Sequence, residues 1–249
     1  MKMELMKNVL VITDNGLLLK RFQKIVAESG VTARFTYVRS HSSRRAKLYE
    51  SGISELPVLD VKSSVSDIRE KYALVISLHC KQIFPPELVN TVRCINVHPG
   101  YNPVNRGWYP QVFAINEGLP IGATIHVMDE GVDTGNIIDR KLVEVRPWDT
   151  SKEVYERVLD AEMELVRKNL EAIVEGDYSP CPPETEGRFH TRKDFEELCE
   201  LDLNEVLTMG QAINRLRALT HGSYKNAWFR DPQSGKMIVV SINLALGES

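Results

Sequence analysis

Short apolar runs alternate with amphipathic stretches along the first half of the chain. The runs are rich in β-branched residues and end at polar residues or glycine, which is typical of buried strands. Apolar residues at helical spacing follow several of these runs, so helices are expected between the strands. The strands are predicted over residues 8–13, 33–38, 56–61, 73–78 and 93–98, and the helices over 18–29, 67–72 and 86–92. This alternation predicts an α/β fold with an open, mostly parallel sheet covered by helices on both faces.

The second half of the chain has a different pattern. Strands are predicted over 123–128 and 136–145, and an acidic, glycine-bearing loop separates them. Thr150 and Glu153 have the spacing of a capping box, which predicts the start of a long helix that reaches about residue 175. A proline-rich connector over 178–183 ends that helix, so we divide the chain into a core, 1–185, and a C-terminal extension, 186–249. The extension is predicted to contain a helix over 203–219 and a hairpin of strands 224–229 and 237–242.

Composition narrows the class of protein. The chain has 249 residues, of which 43% are hydrophobic, as is ordinary for a globular protein. Its net charge of −3 argues against a dedicated nucleic-acid-binding protein. No apolar run is long enough for a membrane span, and the first residues do not form a secretory signal. The four cysteines form no C-x-x-C pair, so we expect reduced thiols in the cytoplasm and no metal site.

The end of the strand over 93–98 carries candidate catalytic chemistry. Alternate residues share a face of a strand, so Asn96 and His98 point together, away from Ile95 and Val97. In open α/β sheets, ligands bind at this carboxyl edge. An imidazole beside an amide can hold a developing oxyanion, and the histidine can move a proton. The alternative is that both side chains cap the loop that follows.

Two loops offer further candidates. Asp133 lies between Gly131 and Gly135, which allow positive φ and a close approach of the backbone to a ligand, so its carboxylate can orient His98. The alternative for this loop is a turn with solvated acids. The loop over 101–111 combines an arginine with aromatic residues, which suits recognition of a phosphate and a planar base, or else packing of the loop on itself.

These motifs resemble a known family. Asn-x-His at 96–98, the Arg-Gly loop at 106–107 and Met-Asp-x-Gly-x-Asp-x-Gly at 128–135 are similar to the formyltransferases that use 10-formyltetrahydrofolate. The longer strings at 77–85, 96–111 and 216–226 resemble the branch that formylates nucleotide-linked amino sugars, in particular dTDP-4-amino-4,6-dideoxyglucose. The resemblance extends over most of the chain and is weakest between residues 31 and 70.

The resemblance implies a Rossmann-like core, a C-terminal hairpin used in homodimer contacts, and a catalytic triad. In it, Asn96 and His98 steady the oxyanion, while Asp133 orients His98 and helps to relay the proton of the attacking amine. The folate is expected to contact two segments, mostly through their backbone. Their residues are Lys81, Gln82, Ile83 and Phe84, and, in the acidic loop, Asp129 and Gly131.

The resemblance also implies residues that bind the dTDP-linked amino sugar. Arg106 and Lys225 are candidates for the pyrophosphate, with His221 and Asn226 beside it. Trp108 and Tyr224 are candidates to flank the thymine. Four residues of the loop over 101–111 complete the set: Tyr101, Asn105, Gly107 and Tyr109. Each of these residues has packing as its alternative role.

Three other functions remain open at this point. A 3-amino or GDP-linked sugar would need only a differently shaped pocket. A tRNA substrate would call for a basic face, whereas the net charge is −3. A non-catalytic folate- or nucleotide-binding homologue would be expected to lack a residue of the triad, and all three are present. The expected product is a formamido sugar for a surface polysaccharide such as the O-antigen of lipopolysaccharide.

Overall fold

A seven-stranded sheet forms the centre of the molecule. The computed structural model describes residues 6–41 and 53–247. Eight strands precede the long helix: β1 (Lys7–Thr13), β2 (Ala33–Ser40), β3 (Val58–Leu59), β4 (Leu74–Leu78), β5 (Arg93–His98), β6 (Arg106–Gly107), β7 (Ile121–Val127) and β8 (Ile137–Val143). The central sheet has the order β3-β2-β1-β4-β5-β7-β8, with parallel pairing from β3 to β5 and antiparallel pairing of β7 and β8. The predicted mostly parallel sheet is therefore confirmed.

Helices cover both faces of this sheet. They are α1 (Gly16–Ser29), α2 (Val65–Lys71), α3 (Pro86–Val89), α4 (Pro110–Glu117), α5 (Ser151–Glu175), α6 (Arg192–Cys199) and α7 (Met209–Leu219). One apolar cluster packs α1 and α5 on the sheet, and a second packs α2 and α3 on the opposite face. The capping box of Thr150 and Glu153 starts α5, as the sequence predicts. No helix in the described ranges is long and apolar enough to cross a membrane.

The C-terminal extension differs from the sequence prediction at several points. Helix α6 lies within it and was not predicted. Helix α7 begins at Met209, not at residue 203, because Thr208 and Gln211 form a capping box there. The predicted strand over 224–229 is two strands: Tyr224–Lys225 (β11) pairs with Thr220–His221 (β10) around a turn at Gly222, which has φ +55°. The final hairpin joins Ala227–Arg230 (β12) to Met237–Val240 (β13). A further short strand, Phe189–His190 (β9), pairs with β6.

The order of the strands reverses between β1 and β4, which are neighbours at the centre of the sheet. The loops that follow β1 and β4 therefore lead to opposite sides, and a crevice opens at the carboxyl ends of the strands. Asn96 and His98, at the carboxyl end of β5, lie at the edge of this crevice.

Candidate active site

A cavity of about 540 Å³ lies at the carboxyl ends of β4 and β5. The loop after β4 forms one wall, the loop between β7 and β8 forms another, and residues of the loop before α4 and of α5 complete it. Asn96, His98 and Asp133 all line this cavity. The structure therefore brings together the three residues that the sequence predicts to be catalytic.

Asp133 is the centre of a hydrogen-bonded cluster. Its Oδ1 accepts from Asn96 Nδ2 at 3.1 Å, and its Oδ2 lies 3.6 Å from His98 Nδ1. Its Oδ2 also accepts from the backbone amide of Gly107 at 3.0 Å. One carboxylate thus links β5, the loop before α4 and the loop between β7 and β8.

The backbone conformation of this loop corrects the sequence interpretation. Asp133 itself has a positive φ of 54°, whereas Gly131 and Gly135 do not. Gly135 is required for another reason, because a Cβ there would collide with the carbonyl oxygen of Val127. Asn102 Nδ2 donates to the carbonyl oxygen of Asp133 at 3.1 Å, which helps to hold the strained residue.

Charge around Asp133 keeps its carboxylate ionised. Burial alone would raise the pKa of Asp133, but the neighbouring His98 and the Gly107 amide hold it well below its usual range. A carboxylate that stays ionised can orient a neighbouring imidazole and stabilise its charged form. This is the chemistry that the sequence assigns to Asp133.

Both nitrogens of His98 face hydrogen-bond acceptors. Nε2 lies 2.8 Å from the carbonyl oxygen of Asn105, and Nδ1 faces the Asp133 carboxylate. The ring of His98 is therefore held between the Asn105 carbonyl and the Asp133 carboxylate. A ring in this position can stabilise negative charge that develops nearby.

His126 is a member of the cluster that sequence analysis missed. Its Nδ1 donates to the carbonyl oxygen of Val127 at 2.9 Å, which leaves Nε2 to accept from Asn96 Nδ2 at 3.2 Å. The Asn96 amide therefore directs its hydrogens to His126 and Asp133. Strand pairing would have indicated it, because His126 lies opposite Asn96 on the neighbouring strand β7.

The residues predicted to bind folate line two facing segments of the cavity. The set is Lys81, Gln82, Ile83, Phe84, Asp129 and Gly131. Two of their side chains have structural partners, since Gln82 bonds the backbone of Leu59 and Val61, and Asp129 accepts from Thr134 Oγ1 and the Gly131 amide. The side chains of Gln82 and Asp129 thus fix the two segments in place.

The residues predicted to bind the sugar nucleotide fall into two groups. Six of them line the cavity: Gly107, Trp108, Tyr109, His221, Tyr224 and Asn226. Four others do not: Tyr101, Asn105, Arg106 and Lys225. Asn105 is buried and holds His98 and the Tyr101 amide, while the Tyr101 ring lies 4.6 Å from the Arg140 guanidinium. Arg106 Nε is buried and has no hydrogen-bond partner among the described residues.

Helix α5 contributes polar residues that sequence analysis did not assign to the site. Ser151, Tyr155 and Glu162 lie on its buried side, among the apolar residues that pack on the sheet. Ser151 and Tyr155 line the cavity, and Glu162 contacts His79, which lines it too. Polar residues at helical spacing within an apolar face were the available signal. No group of three or more potential ligands within the described ranges is arranged to hold a metal ion.

Comparison with known proteins identifies the family. Residues 8–170 match the family model described as formyl transferase. Residues 194–246 match the model described as the N-formyltransferase dimerization C-terminal domain. Together the two matches cover most of the chain.

Individual relatives agree with this family. A dTDP-4-amino-4,6-dideoxyglucose formyltransferase from Mycobacterium tuberculosis is 49% identical over 195 residues, which cover 77% of this chain and 83% of that protein. The crystal structure of a 4-N formyltransferase from Francisella tularensis has a TM-score of 0.90 and 42% identity, covering 96% of this chain and 98% of that chain. A formyltransferase from Anoxybacillus kamchatkensis, solved in complex with UDP-4,6-dideoxy-4-formamido-L-AltNAc and tetrahydrofolate, is 26% identical, with a TM-score of 0.59 over 76% of this chain and 88% of that chain. The chain belongs to the formyl transferase family and is an N-formyltransferase.

Proposed function

We propose that the protein transfers the formyl group of 10-formyltetrahydrofolate to the amine of dTDP-4-amino-4,6-dideoxyglucose. The observation that carries this proposal is the Asn96–His98–Asp133 cluster in a cavity of about 540 Å³. The 49% identity to a relative with this named activity supports the choice of acceptor. The free thiols of Cys80, Cys94, Cys181 and Cys199 are in keeping with a cytoplasmic reaction, and the product would serve a surface polysaccharide.

The triad has separate tasks in this reaction. His98, with both nitrogens directed at acceptors, supplies positive charge beside the oxygen of the formyl group as that oxygen becomes negative. Asp133 holds the ring of His98 and stabilises its charge. Asn96 presents its amide to the same space, with its hydrogens directed at Asp133 and His126. Its oxyanion role requires that one of these hydrogens turn to the substrate.

Folate is assigned to the space between Lys81–Phe84 and the Asp129–Asp133 loop. Both segments line the cavity, and the apolar side chains of Phe84, Met128 and Val132 lie beside their backbone groups. A flat heterocycle with donors and acceptors on its edge suits such a slot, because backbone amides and carbonyls can read that edge while apolar side chains cover its faces. The formyl donor brings the one-carbon group, and these residues orient it towards Asn96.

The acceptor is assigned to the opposite part of the cavity. Trp108 and Tyr224 line the cavity, and aromatic rings are suited to stack on a planar base. Tyr109 lines it too, but its ring packs on that of Phe195, with the centroids 4.0 Å apart. We assign the pyrophosphate to His221 and Asn226, with Arg106 and Lys225 as the cations beside them. The unpartnered, buried Nε of Arg106 supports this role, since a buried donor normally has an acceptor.

The C-terminal extension is assigned to homodimer formation. A dimerization family model matches residues 194–246, and this region exposes large apolar side chains. They include Leu203, Val206 and Met209 before and at the start of α7, and Met237, Ile238 and Val239 on β13. Exposed apolar patches of this kind mark interaction surfaces. Sedimentation equilibrium should give twice the mass of one chain, whereas a monomer at micromolar concentration would contradict this assignment.

A mass-spectrometric assay tests the acceptor. Purified protein is incubated with 10-formyltetrahydrofolate and dTDP-4-amino-4,6-dideoxyglucose, and the sugar nucleotide is expected to gain one formyl group only when both are present. His41→Ala is a matched control, because His41 lies at the surface, beside Asp60. The 3-amino isomer and a GDP-linked 4-amino sugar are run in parallel, and faster formylation of either would replace the proposed acceptor.

A further inference from the structure

A second histidine–carboxylate pair faces the same cavity. His79 Nε2 lies 2.8 and 3.0 Å from the two carboxylate oxygens of Glu162. Glu162 is fully buried, and His79 is its one hydrogen-bond partner among the described residues. His79 also has a positive φ of 57°, a strained conformation that is concentrated at functional sites in proteins. The family comparison does not assign a role to this pair.

The pair leaves one nitrogen of His79 available to a ligand. Because the Glu162 oxygens only accept, Nε2 carries the hydrogen, and Nδ1 has a lone pair in the neutral ring. The contact of Nδ1 within the described residues is the Tyr155 hydroxyl at 3.5 Å, which is the outer limit of a hydrogen bond. His98 differs, because its two nitrogens both face acceptors.

The two histidines stand at the carboxyl ends of neighbouring strands. In the register of β4 and β5, Ser77 is the partner of Asn96 and Leu78 is the partner of Val97. His79 therefore follows β4 at the position where His98 ends β5. Both histidines line the same cavity, which is where the acceptor is assigned.

The proton balance of the proposed reaction calls for two transfers. At neutral pH a primary amine with a pKa of about 8 arrives mainly as the ammonium ion. The ammonium nitrogen loses one proton before its lone pair attacks the formyl carbon, and a second proton when the carbon–nitrogen bond to the folate breaks. The second proton goes to the folate nitrogen that leaves, and the first goes to solvent.

We infer that His79 is a second catalytic residue, which accepts through Nδ1 the first proton of the acceptor ammonium, while Glu162 positions its ring. This inference rests on the proposed function. Glu162 fixes the hydrogen on Nε2 and stabilises the imidazolium that forms, as a buried carboxylate does for a catalytic histidine. His98 then acts on the formyl oxygen.

The groups around His79 are suited to this step. Burial, followed by the charge of Glu162, raises the pKa of Tyr155 above its ordinary value, so Tyr155 stays neutral beside the imidazole. His221 lies beyond it, with its ring 5.7 Å from that of Tyr155. Along the chain, Cys80 lines the cavity too, and burial raises the pKa of its thiol to about 12. Lys81 is exposed, and its amide donates to Asp14 at 2.9 Å, while His98 lines the cavity from β5.

A pH series with paired variants tests the inference. His79→Asn is chosen because asparagine tolerates positive φ, and His79→Asn/Glu162→Gln also removes the unpaired buried charge. We expect kcat near pH 7 to fall by about 100-fold, a typical contribution of a general base. The loss should shrink towards pH 9, where the amine is already neutral, whereas the loss in His98→Ala should persist.

The matched control is the double variant Glu117→Gln/His190→Asn. His190 Nε2 lies 3.0 Å from Glu117 Oε1, and neither residue lines the cavity. This variant should keep the wild-type kcat at every pH. A His79 variant with wild-type kcat, or with a loss that is the same at pH 7 and pH 9, would overturn the inference.

A second readout separates this inference from the proposed function. Long-range proton–nitrogen spectra of histidine-labelled protein report which ring nitrogen carries hydrogen. We expect His79, assigned by its absence in His79→Asn, to carry hydrogen on Nε2 and a lone pair on Nδ1 near pH 8. Hydrogen on Nδ1 would overturn the inference even in an active enzyme. A wild-type protein that formylates no acceptor would overturn the proposed function, and the tautomer would still show whether Nδ1 can accept a proton.

Discussion

The two histidine–carboxylate pairs of the cavity are built in opposite ways. Asp133 shares its charge among several donors, which include the Asn96 amide, the Gly107 backbone and His98. Glu162 has no exposed surface and depends on His79. In the first pair the carboxylate is secure and both nitrogens of the histidine are engaged. In the second pair one nitrogen of the histidine holds the carboxylate, and the other lies 3.5 Å from the hydroxyl of Tyr155, a residue of the cavity wall.

This difference teaches that similar residue pairs can divide the work of one reaction. A histidine with two engaged nitrogens is suited to provide charge, and a histidine with one available nitrogen is suited to accept a proton. The difference between the pairs also predicts that loss of His98 affects mainly catalysis, whereas loss of His79 affects stability as well. Losing His98 leaves Asp133 with other donors, whereas losing His79 leaves a carboxylate unpaired in the interior.

The largest effect is expected for His98→Ala. We expect kcat to fall by about 1,000-fold, since the variant loses the charge beside the formyl oxygen. The free energy of unfolding should change little compared with His79→Ala, because Asp133 keeps its contacts to Asn96 and Gly107. Steady-state kinetics and urea unfolding measure the two quantities. An equal loss of activity and stability in both alanine variants would remove the distinction between the pairs.

The second effect concerns stability at the other pair. His79→Ala should lower the free energy of unfolding by roughly 3 kcal/mol, because it leaves the buried Glu162 carboxylate without its partner. Adding Glu162→Gln should restore part of this loss, since the glutamine carries no charge. Urea unfolding at pH 7 measures both variants. A double variant less stable than His79→Ala would show that the charge of Glu162 is not what makes the single variant unstable.

The third effect is the loss of charge in Asp133→Asn. We expect kcat to fall by about 100-fold, because asparagine holds the ring of His98 but does not stabilise its charge. The pKa of Asp133 is lower in the folded protein than in the unfolded chain. Its ionisation therefore stabilises the fold fully above the pKa of an unfolded carboxyl, about 4, and this stabilisation is lost as the pH falls from there towards the folded pKa. The variant should therefore lose less stability than the wild type on acidification. The same acid sensitivity in both proteins would contradict the lowered pKa.

The smallest effect concerns binding of the acceptor, which the two histidine–carboxylate pairs are not expected to control. Arg106→Gln removes a cation assigned to the pyrophosphate and should raise KM for the sugar nucleotide by about tenfold, with kcat unchanged. The effect should weaken as salt concentration rises. A fall in kcat with KM unchanged would move Arg106 from binding the acceptor to the chemical step.

The sequence predicted the first pair because local rules place its residues. Strand alternation puts Asn96 and His98 on one face, and the sheet-edge rule puts them in the crevice. The family resemblance then indicated Asp133. The positive φ of Asp133 was not predicted from the sequence, because the glycines on either side are the residues that usually adopt this conformation. In the structure it is the aspartate that adopts it.

The second pair was not predictable from local patterns. His79 and Glu162 are separated by 83 positions, and their contact depends on how α5 lies across the sheet. The amphipathic pattern of α5 was correctly assigned, but a glutamate within its buried face has no local partner that would indicate its role. Strand β11 was also not predicted as a separate strand. A turn at Gly222 pairs Tyr224 and Lys225 with β10, so these residues do not belong to the last hairpin.

The most direct test of the account follows the formyl carbon itself. The protein is supplied with 10-formyltetrahydrofolate labelled with carbon-13 in the formyl group, and with dTDP-4-amino-4,6-dideoxyglucose, and the products are resolved by NMR. The account predicts a labelled formamide on the C4 nitrogen of the sugar, formed by the wild type and reduced about 1,000-fold in His98→Ala. The account would be contradicted if the carbon-13 label appeared only as free formate, or if no nitrogen of the sugar became labelled with a formyl group.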